Sequence, residues 1–311
     1  MDWQRIFHQI PGVETFTSVA LIQKGFSTEQ KYFVTTQNNE NKLLRVADIT
    51  HFDKMERTYR TLVRVHEAGV PTHIPIALGT YQDGVCEYAY QLLSWCPGSD
   101  GSDAYYKADD RALHQLGTTA GNILRKIHQI KPDTAPHNAN HWYDYYTTRF
   151  SNYIKQIDAL EITIPGHAQI EQYFNENKHL LRHRDIALYH GDYHCHNFAR
   201  DENGQIHILD WETAEYGDPW YDFHGLNNHD IKPAYATALI NAYFNGNVPD
   251  DFWRVFALYL TYGSLALVSW AAKTRGDHLT YDPLALCLGN IANHMQAFNQ
   301  LTTPKPSWYS A

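Results

Sequence analysis

The chain has 311 residues, of which 43% are hydrophobic and 19% are charged, and it carries 25 basic against 34 acidic side chains. This composition is typical of a globular protein, and it excludes a disordered, collagen-like or low-complexity chain. The net charge of −9 disfavours nucleic acid as a partner, because proteins that bind a phosphate backbone normally carry excess positive charge.

The N-terminal residues and the longest apolar stretch predict a cytoplasmic protein without a membrane span. The first five residues, MDWQR, lack the basic-then-apolar order of a secretory signal. Residues 256–270 form the longest apolar stretch, but polar and small residues interrupt it, so we expect a buried core helix. The four cysteines lie far apart, which favours reduced thiols. The oligomeric state is left open.

The first part of the chain predicts short strands around one helix. Strands are expected at residues 16–23, 31–36, 43–47 and 88–95. Thr50 followed by Asp53 is typical of a capping box at a helix start, and Gly69 before Pro71 is typical of a helix end. The apolar stripe of this helix leaves Glu56 at its edge, where a carboxylate needs a cation as its partner.

From residue 96 onward the pattern is mainly helical. Helices are expected at residues 113–130, 142–157, 167–181, 233–244, 251–272 and 282–301. We therefore expect an α+β protein with two domains, residues 1–95 rich in strands and residues 96–311 rich in helices. The second domain has 16 basic and 24 acidic residues, so most of the excess negative charge lies there.

The most informative segment, residues 188–212, reads LYHGDYHCHNFARDENGQIHILDWE. The Asn-Gly pair at 203–204 predicts a hairpin with a two-residue turn. In that register Asn197 lies directly opposite Asp210, with their Cβ atoms about 5 Å apart. An amide oxygen and a carboxylate at this separation suit a hard divalent cation such as Mg²⁺. Asp192 precedes this pair at the mouth of the hairpin and is a candidate base.

These residue types are the ones that phosphoryl transfer requires, namely metal ligands and a separate carboxylate that takes the proton of the acceptor hydroxyl. The H-x-D-x-x-x-x-N spacing from His190 to Asn197 also matches a kinase catalytic loop. With D-W-E at 210–212, G-D-P at 217–219 and Y-D-F at 221–223, the chain resembles the aminoglycoside phosphotransferase and choline kinase family. That family is a branch of the protein-kinase-like fold, and the resemblance covers most of the chain.

The resemblance implies a bilobal fold, with a small mixed lobe and a larger helical lobe, and a kinase that uses ATP and Mg²⁺. Asp192 is implied as the catalytic base and His190 as a brace of its loop. Asn197 and Asp210 are implied as Mg²⁺ ligands, with Glu212 supporting the metal. GTP is the alternative phosphate donor.

The resemblance also implies a nucleotide site in the first domain. Arg45 occupies the strand position where the family normally has a phosphate-binding lysine, and Glu56 is its implied partner on the helix. The implied phosphate loop includes Gly25, Ser27 and Thr28. Because the loop has a single glycine, the hydroxyl groups of Ser27 and Thr28 are expected to share the phosphate contacts. The residues implied at the adenine are Gln91, Leu93 and Trp95.

The expected acceptor is a small hydroxylated molecule, because the short stretch between Glu212 and Gly217 has no room for the activation segment of a protein kinase. The resemblance and the acidic second domain favour an aminoglycoside-like amino sugar, since negative potential attracts a cationic acceptor. A choline-type amino alcohol and other metabolites are the alternatives.

Two hypotheses from other classes stay open. A zinc-dependent hydrolase would use His190, Asp192, His194 and His196, because Zn²⁺ accepts such side chains. The sequence offers no second cluster of zinc ligands, as structural zinc sites usually require. A non-catalytic nucleotide-binding scaffold is disfavoured because the implied base and metal ligands are all intact.

Overall fold

The computed structural model describes residues 9–10, 16–23, 29–134, 140–227, 231–273, 282–303 and 305–310. The chain divides into two compact units. Unit 1 comprises residues 1–104 and 196–214, and unit 2 comprises residues 105–195 and 215–311. A short segment from far along the chain therefore packs with the N-terminal residues.

Unit 1 is built on a five-stranded antiparallel sheet. Its strands are β1 (Phe16–Ile22), β2 (Gln30–Thr36), β3 (Asn41–Asp48), β4 (Pro75–Asp83) and β5 (Cys86–Ser94), in the order β1-β2-β3-β5-β4. The four predicted strands are confirmed, whereas β4 was missed because Pro75 and Gly79 weaken its strand pattern. Since β4 lies at the sheet edge, Pro75 is tolerated there without loss of a ladder hydrogen bond.

The two faces of this sheet have different roles. One face carries the larger apolar cluster, which includes Tyr32, Val34, Leu44, Val46, Tyr90 and Leu92. The other face packs against α1 (Phe52–Glu67) through a smaller cluster, which includes Ala47, Met55 and Ala89. Lys31, Arg45 and Gln91 are direct neighbours across β2, β3 and β5. Because side chains alternate along a strand, these three residues share the face that packs against α1.

The predicted helix α1 is confirmed, but its start differs from the predicted capping box. The carboxylate of Asp48, rather than the side chain of Thr50, accepts the backbone N–H, at 3.0 Å from Thr50 N. This bond begins a 3₁₀ turn, Ile49–His51, and α1 follows it directly. The helix ends before Gly69, whose φ of 71° lies in the left-handed region that the predicted glycine stop requires.

Five short strands complete the sheets. They are β6 (Ser99–Asp100), β7 (Ala187–Tyr189), β8 (Phe198–Arg200), β9 (Ile206–Ile208) and β10 (Glu215–Gly217). In unit 1, β6, β8 and β9 form a three-stranded sheet in that order. In unit 2, β7 pairs with β10.

Unit 2 is mainly helical, as predicted. The helices after α1 are α2 (Gly101–Lys107), α3 (Asp110–Ile127), α4 (His141–Ala159), α5 (His167–Asn177), α6 (Pro233–Tyr243), α7 (Asp250–Lys273) and α8 (Pro283–Ala297). All six predicted helices are present. The one expected over 167–181 ends as a 3₁₀ turn, Lys178–Leu181, and α2 was not predicted.

The long apolar helix α7 is the centre of unit 2. By length and composition alone it could cross a membrane. In the structure, however, most of its side chains from Phe252 to Ala271 are buried, and α4, α5 and α8 pack around it. The prediction of a buried core helix over residues 256–270 is confirmed.

Candidate functional site

The loop that follows β7 in unit 2 is held by a buried carboxylate. Asp222 accepts hydrogen bonds from the backbone N–H groups of His190 and Gly191, each at 2.7 Å. His128 donates to the same carboxylate at 3.0 Å through its Nε2–H. Burial raises the pKa of the Asp222 carboxyl, but the hydrogen bonds and the attraction of His128 and His190 hold it below its ordinary value overall. The loop backbone is therefore fixed by a charged, fully buried group.

Asp192 lies at the end of this braced loop. Its backbone N–H donates to Nδ1 of the buried His190 ring at 3.2 Å, so the predicted base and its predicted brace are in contact. Gly191 between them has a φ of 83°, which an L-residue rarely adopts. The Asp192 side chain is 39% exposed, and His194 donates to its Oδ1 through Nε2 at 3.0 Å. An accessible carboxylate with one oriented oxygen can accept a proton from a bound hydroxyl.

The hairpin of unit 1 does not have the predicted two-residue turn. The carboxylate of Asp201 accepts the backbone N–H groups of Asn203 and Gln205, both at 2.9 Å. The backbone of Asp201 also pairs with Gln205, which leaves a three-residue loop with Gly204 at a φ of 81°. A glycine in the left-handed region is typical of such loops. The Asp201 side chain thus selects a longer turn than the Asn-Gly pair by itself indicates.

The changed turn shifts the strand register by one residue. Phe198 pairs with Ile208, and the N–H of Leu209 donates to the Asn197 carbonyl at 2.8 Å. The predicted direct pairing of Asn197 with Asp210 is therefore wrong. Both residues lie outside the ladder, because Asn197 ends a 3₁₀ turn and Asp210 adopts a left-handed φ of 59°. Strand alternation does not determine where their side chains point.

Asp210 is nevertheless held in a well-defined position. The indole of Trp211 donates to the Thr72 hydroxyl at 2.9 Å and to the Ile208 carbonyl at 3.1 Å, and Trp211 is buried. Asp210 itself is exposed, and its carboxylate has no hydrogen-bond or ion-pair partner among the residues that the structure describes. A hard oxygen donor of this kind fits a divalent cation, as does the amide oxygen of Asn197.

A buried ion-pair cluster surrounds Arg45 in unit 1. The guanidinium donates to Glu29 Oε2 from Nε at 2.7 Å and from Nη2 at 2.6 Å, and it also bonds to Glu212 Oε1. Lys54 on α1 donates to the other oxygen of Glu212 at 2.5 Å. The Arg45 side chain is only 7% exposed and that of Glu29 only 2%. Both oxygens of Glu212, the predicted metal support, are thus occupied by cations.

Glu56 does not take part in this cluster. It pairs with Arg60 one turn further along α1, at 2.8 Å, and its side chain is partly exposed. The predicted pairing of Arg45 with Glu56 is wrong. Burial decides the difference: Arg45 faces inward toward Glu29 and Glu212, whereas Glu56 lies on the edge of the apolar stripe and reaches a surface arginine.

Lys31 stands beside this cluster on β2. It lies directly opposite Arg45 in the β2–β3 register, and it is half-buried. Burial and the positive charge of Arg45 lower the pKa of Lys31, while the negative charges of Asp210 and Glu29 act in the opposite direction. No sequence pattern indicates this lysine, because the register that places it opposite Arg45 depends on the length of the β2–β3 turn.

Of the residues predicted at the adenine, Gln91 and Leu93 lie on one face of β5, and Trp95 follows the end of that strand. Gln91 and Leu93 are buried, and the Gln91 side chain donates to the Met55 carbonyl on α1 at 3.4 Å. Trp95 packs edge-on against Phe33, with their ring centroids 4.8 Å apart. The predicted phosphate-loop residues Gly25, Ser27 and Thr28 lie outside the described residues. These nucleotide contacts stay predictions.

The zinc hypothesis finds no support. Among the ranges that the structure describes, no group of three or more His, Cys, Asp or Glu side chains is arranged to hold a metal ion. His190 is fully buried and bonds to the Asp192 backbone, His194 is bonded to the Asp192 carboxylate, and His196 is exposed. The three histidines thus have three different environments.

Four residues that form charged contacts in these segments were not predicted from the sequence. Glu29 bonds to Arg45, Lys31 lies opposite Arg45, Lys54 bonds to Glu212, and His128 bonds to Asp222. The first two contacts cross the β2–β3 turn and the last two join positions far apart in the chain, so no helix or strand period indicates them. The sequence signal that existed was the strand alternation of residues 31–36 and 43–47.

A family model matches most of the chain. The profile of the phosphotransferase enzyme family matches residues 18–257. A segment of 174 residues is 28% identical to acyl-CoA dehydrogenase family member 10 of Mus musculus, covering 54% of this chain and 16% of that protein. The chain therefore spans about one sixth of the length of this curated relative.

Solved structures show the same fold at low sequence identity. A choline/ethanolamine kinase family protein from Mesorhizobium loti has a TM-score of 0.66 at 18% identity, and the match covers 96% of this chain and 93% of that one. A thermostable mutant of aminoglycoside phosphotransferase APH(4)-Ia, in a ternary complex with ADP and hygromycin B, has a TM-score of 0.65 at 15% identity, with 90% and 93% coverage. The predicted α+β, kinase-like fold is confirmed.

Proposed function

We propose that this chain, which belongs to the phosphotransferase enzyme family, is a small-molecule phosphotransferase that transfers the terminal phosphate of ATP to a hydroxyl group of an amino sugar. A choline-type amino alcohol is the second acceptor class. The observation that carries the proposal is the family match, which contains the whole H-G-D-Y-H-C-H-N segment and D-W-E at 210–212. A solved relative of the same fold holds ADP and the aminoglycoside hygromycin B.

Asp192 is the proposed base. It is accessible, its backbone is fixed through His190, and its Oδ1 is oriented by His194. The acceptor hydroxyl donates its proton to the Asp192 carboxylate while its oxygen attacks the γ-phosphorus, and ADP leaves. A carboxylate can act as this base because the acceptor hydroxyl becomes more acidic as its oxygen forms the bond to phosphorus. The carboxylate therefore accepts the proton during bond formation and not before it.

Asn197 and Asp210 are the residues that would hold Mg²⁺. When bound, Mg²⁺ neutralises negative charge on the phosphate oxygens. The exposed Asp210 carboxylate, without a hydrogen-bond or ion-pair partner among the described residues, supports this role, and so does the amide oxygen of Asn197.

The test of the base is Asp192→Asn, which keeps the shape of the side chain and removes its basicity. We expect turnover to fall by about 10²- to 10⁴-fold while ATP affinity stays within about twofold of the unmodified protein. Initial rates of ADP release and calorimetric titration with Mg·ATP measure the two quantities. Asp158→Asn, an exposed position on α4, is the matched control for loss of one negative charge.

The acceptor class is tested by ADP release from the unmodified protein against a panel of amino sugars, amino alcohols and neutral hydroxylated metabolites. An amino sugar should give the highest kcat/KM. A neutral metabolite that exceeds every cationic one would contradict the proposed acceptor, and full activity of Asp192→Asn would contradict the proposed base.

A further inference from the structure

Two cations stand directly opposite each other on one face of the unit 1 sheet. The register of β2 with β3 pairs Lys31 with Arg45. Like charges in directly opposite positions destabilise a sheet unless an anion lies close to them.

Arg45 has its anions. Its guanidinium bonds to the carboxylates of Glu29 and Glu212, and these three side chains are largely buried. Removing a buried cation from such a pair leaves uncompensated buried charge, which is strongly unfavourable. The charge of Arg45 is therefore already balanced within the protein by these two carboxylates.

Lys54 also has a carboxylate partner. Its ammonium bonds to Glu212 Oε2 at 2.5 Å, so Glu212 is shared between Arg45 and Lys54. Oε2 of Glu29 and both carboxylate oxygens of Glu212 are thus paired with these two side chains, and Lys31 bonds to none of the three oxygens.

Lys31 has no hydrogen-bond or ion-pair partner among the residues that the structure describes. Its nearby charges are Arg45 and Lys54, which repel it, and Asp210 and Glu29, which attract it. The ammonium has three N–H donors and is half-buried, so it gains from a ligand that brings negative charge and acceptor oxygens. Asp210, the proposed metal ligand, is one of the charges that attract Lys31.

We propose that Lys31 on β2 makes a charged contact with the nucleotide phosphates in this chain, alongside the contact that the family resemblance implies for Arg45 on β3. Arg45 joins Glu29 and Glu212 next to it. This inference rests on the proposed function, because it requires that the chain bind a nucleotide. Because Lys31 would contact the phosphates, the affinity lost on its replacement should depend on the number of phosphates and not on the base.

The test compares Lys31→Met with Lys42→Met by calorimetric titration with Mg·ATP, Mg·ADP and adenosine. Lys42 is also a half-buried lysine of this sheet, but it lies on the opposite face from Arg45 and pairs with Glu40 at 2.8 Å. It therefore controls for the loss of one positive charge. We expect Lys31→Met to weaken Mg·ATP binding by about 10- to 100-fold, with adenosine unaffected. Lys42→Met should change neither the affinity for Mg·ATP nor that for adenosine by more than about twofold.

The stability of the ligand-free protein separates a binding role from a structural one. Lys31→Met removes the repulsion from Arg45, so its urea midpoint should equal or exceed that of the unmodified protein. Lys31→Arg keeps the charge and should recover most of the affinity for Mg·ATP.

The outcomes are distinguishable. If the unmodified protein binds Mg·ATP and Lys31→Met binds it equally well, the role of Lys31 is wrong and the proposed function stands. If Lys31→Met and Lys42→Met lose the same affinity, the effect is that of net charge and the inference also fails. If the unmodified protein binds no nucleotide, the proposed function itself fails.

Discussion

Asp222 and Asp192 are two carboxylates of unit 2 with opposite environments. Asp222 is fully buried and receives three hydrogen bonds, so it is a structural anion that fixes a loop. Asp192 is partly exposed and oriented by a histidine on one side. The residue type is the same in both cases, and burial together with hydrogen-bond donors decides which one can take part in proton transfer.

His294 is a third kind of titratable residue, buried without a hydrogen-bond partner for either ring nitrogen among the described residues. It lines a small cavity with Ile170 and Phe298 in the core of unit 2. Burial lowers the pKa of its imidazole to about 4. A neutral, unpaired imidazole in an apolar core lowers the stability of the fold.

We predict that His294→Leu makes the stability of the protein less dependent on pH. Because the native pKa is about 4 and an unfolded histidine has a pKa of about 6.5, the unfolded chain binds the extra proton first as the pH falls. The native protein therefore loses up to about 3 kcal/mol from this residue between pH 6.5 and pH 4.

Urea unfolding at pH 7.5 and pH 5 measures this effect. The difference between the two pH values should shrink in His294→Leu, whereas His66→Leu, at an exposed position on α1, should keep it. An unchanged difference in the His294 variant would show that the imidazole is solvated or paired.

At the scale of elements, the contact between α3 and α6 depends on two glycines one turn apart. A Cβ atom at Gly117 or Gly121 would meet the carbonyl oxygen of Tyr235 or Leu239 far inside van der Waals contact. The two helix backbones can approach closely only because these positions lack a side chain. The glycines are therefore required by packing, although they lower the intrinsic stability of α3.

We predict that Gly121→Ala destabilises the protein by about 1–3 kcal/mol, because the added methyl group forces α3 and α6 apart. Gly289→Ala is the matched control. Gly289 also lies in a helix, α8, but a Cβ atom there would contact nothing within 4 Å. The control should gain about 0.5–1 kcal/mol from helix propensity alone. If the urea midpoints of the two variants shifted in the same direction from that of the unmodified protein, the result would contradict the packing argument.

The β8–β9 hairpin shows the same competition between local and longer-range preferences. Asn-Gly favours a two-residue turn, yet the Asp201 carboxylate bonds to two backbone N–H groups and stabilises a three-residue loop. One side chain thus shifts the register by one residue and removes the predicted pairing of Asn197 with Asp210.

At the scale of the whole molecule, unit 1 combines residues from two distant parts of the chain. The proposed metal ligands Asn197 and Asp210 lie in the returning segment, together with Glu212, which bonds to Arg45 on β3. A ligand that binds in unit 1 therefore stabilises contacts between these two segments, such as the Arg45–Glu212 pair, whose residues lie 167 positions apart in the sequence.

We predict that Mg·ATP raises the thermal unfolding midpoint of the protein. A ligand that binds only the native state at one hundred times its Kd adds about 2.7 kcal/mol of stability. Differential scanning calorimetry with Mg·ATP, and with Mg²⁺ plus sulfate as the anion control, measures the shift. An equal shift with sulfate would indicate a general effect of anions, and no shift with ATP would contradict nucleotide binding.

The sequence by itself determined the family and most of the local elements. The spacing of His190, Asp192 and Asn197, with Asp210 further on, identified the family, and apolar periodicity located every described helix except α2 and four of the five large-sheet strands. These signals are local, because periods of 2 and 3.6 residues and loop spacings are read within a short window. They depend little on what the rest of the chain does.

Only the tertiary structure decided which charges meet. Arg45 was expected to pair with Glu56 and instead pairs with Glu29 and Glu212, and Lys31 was brought opposite Arg45 by strand register. Ion-pair partners follow from burial and from which elements pack together, and a single turn residue such as Asp201 can change a register. Such contacts cross long stretches of sequence, where no periodic pattern carries information about them.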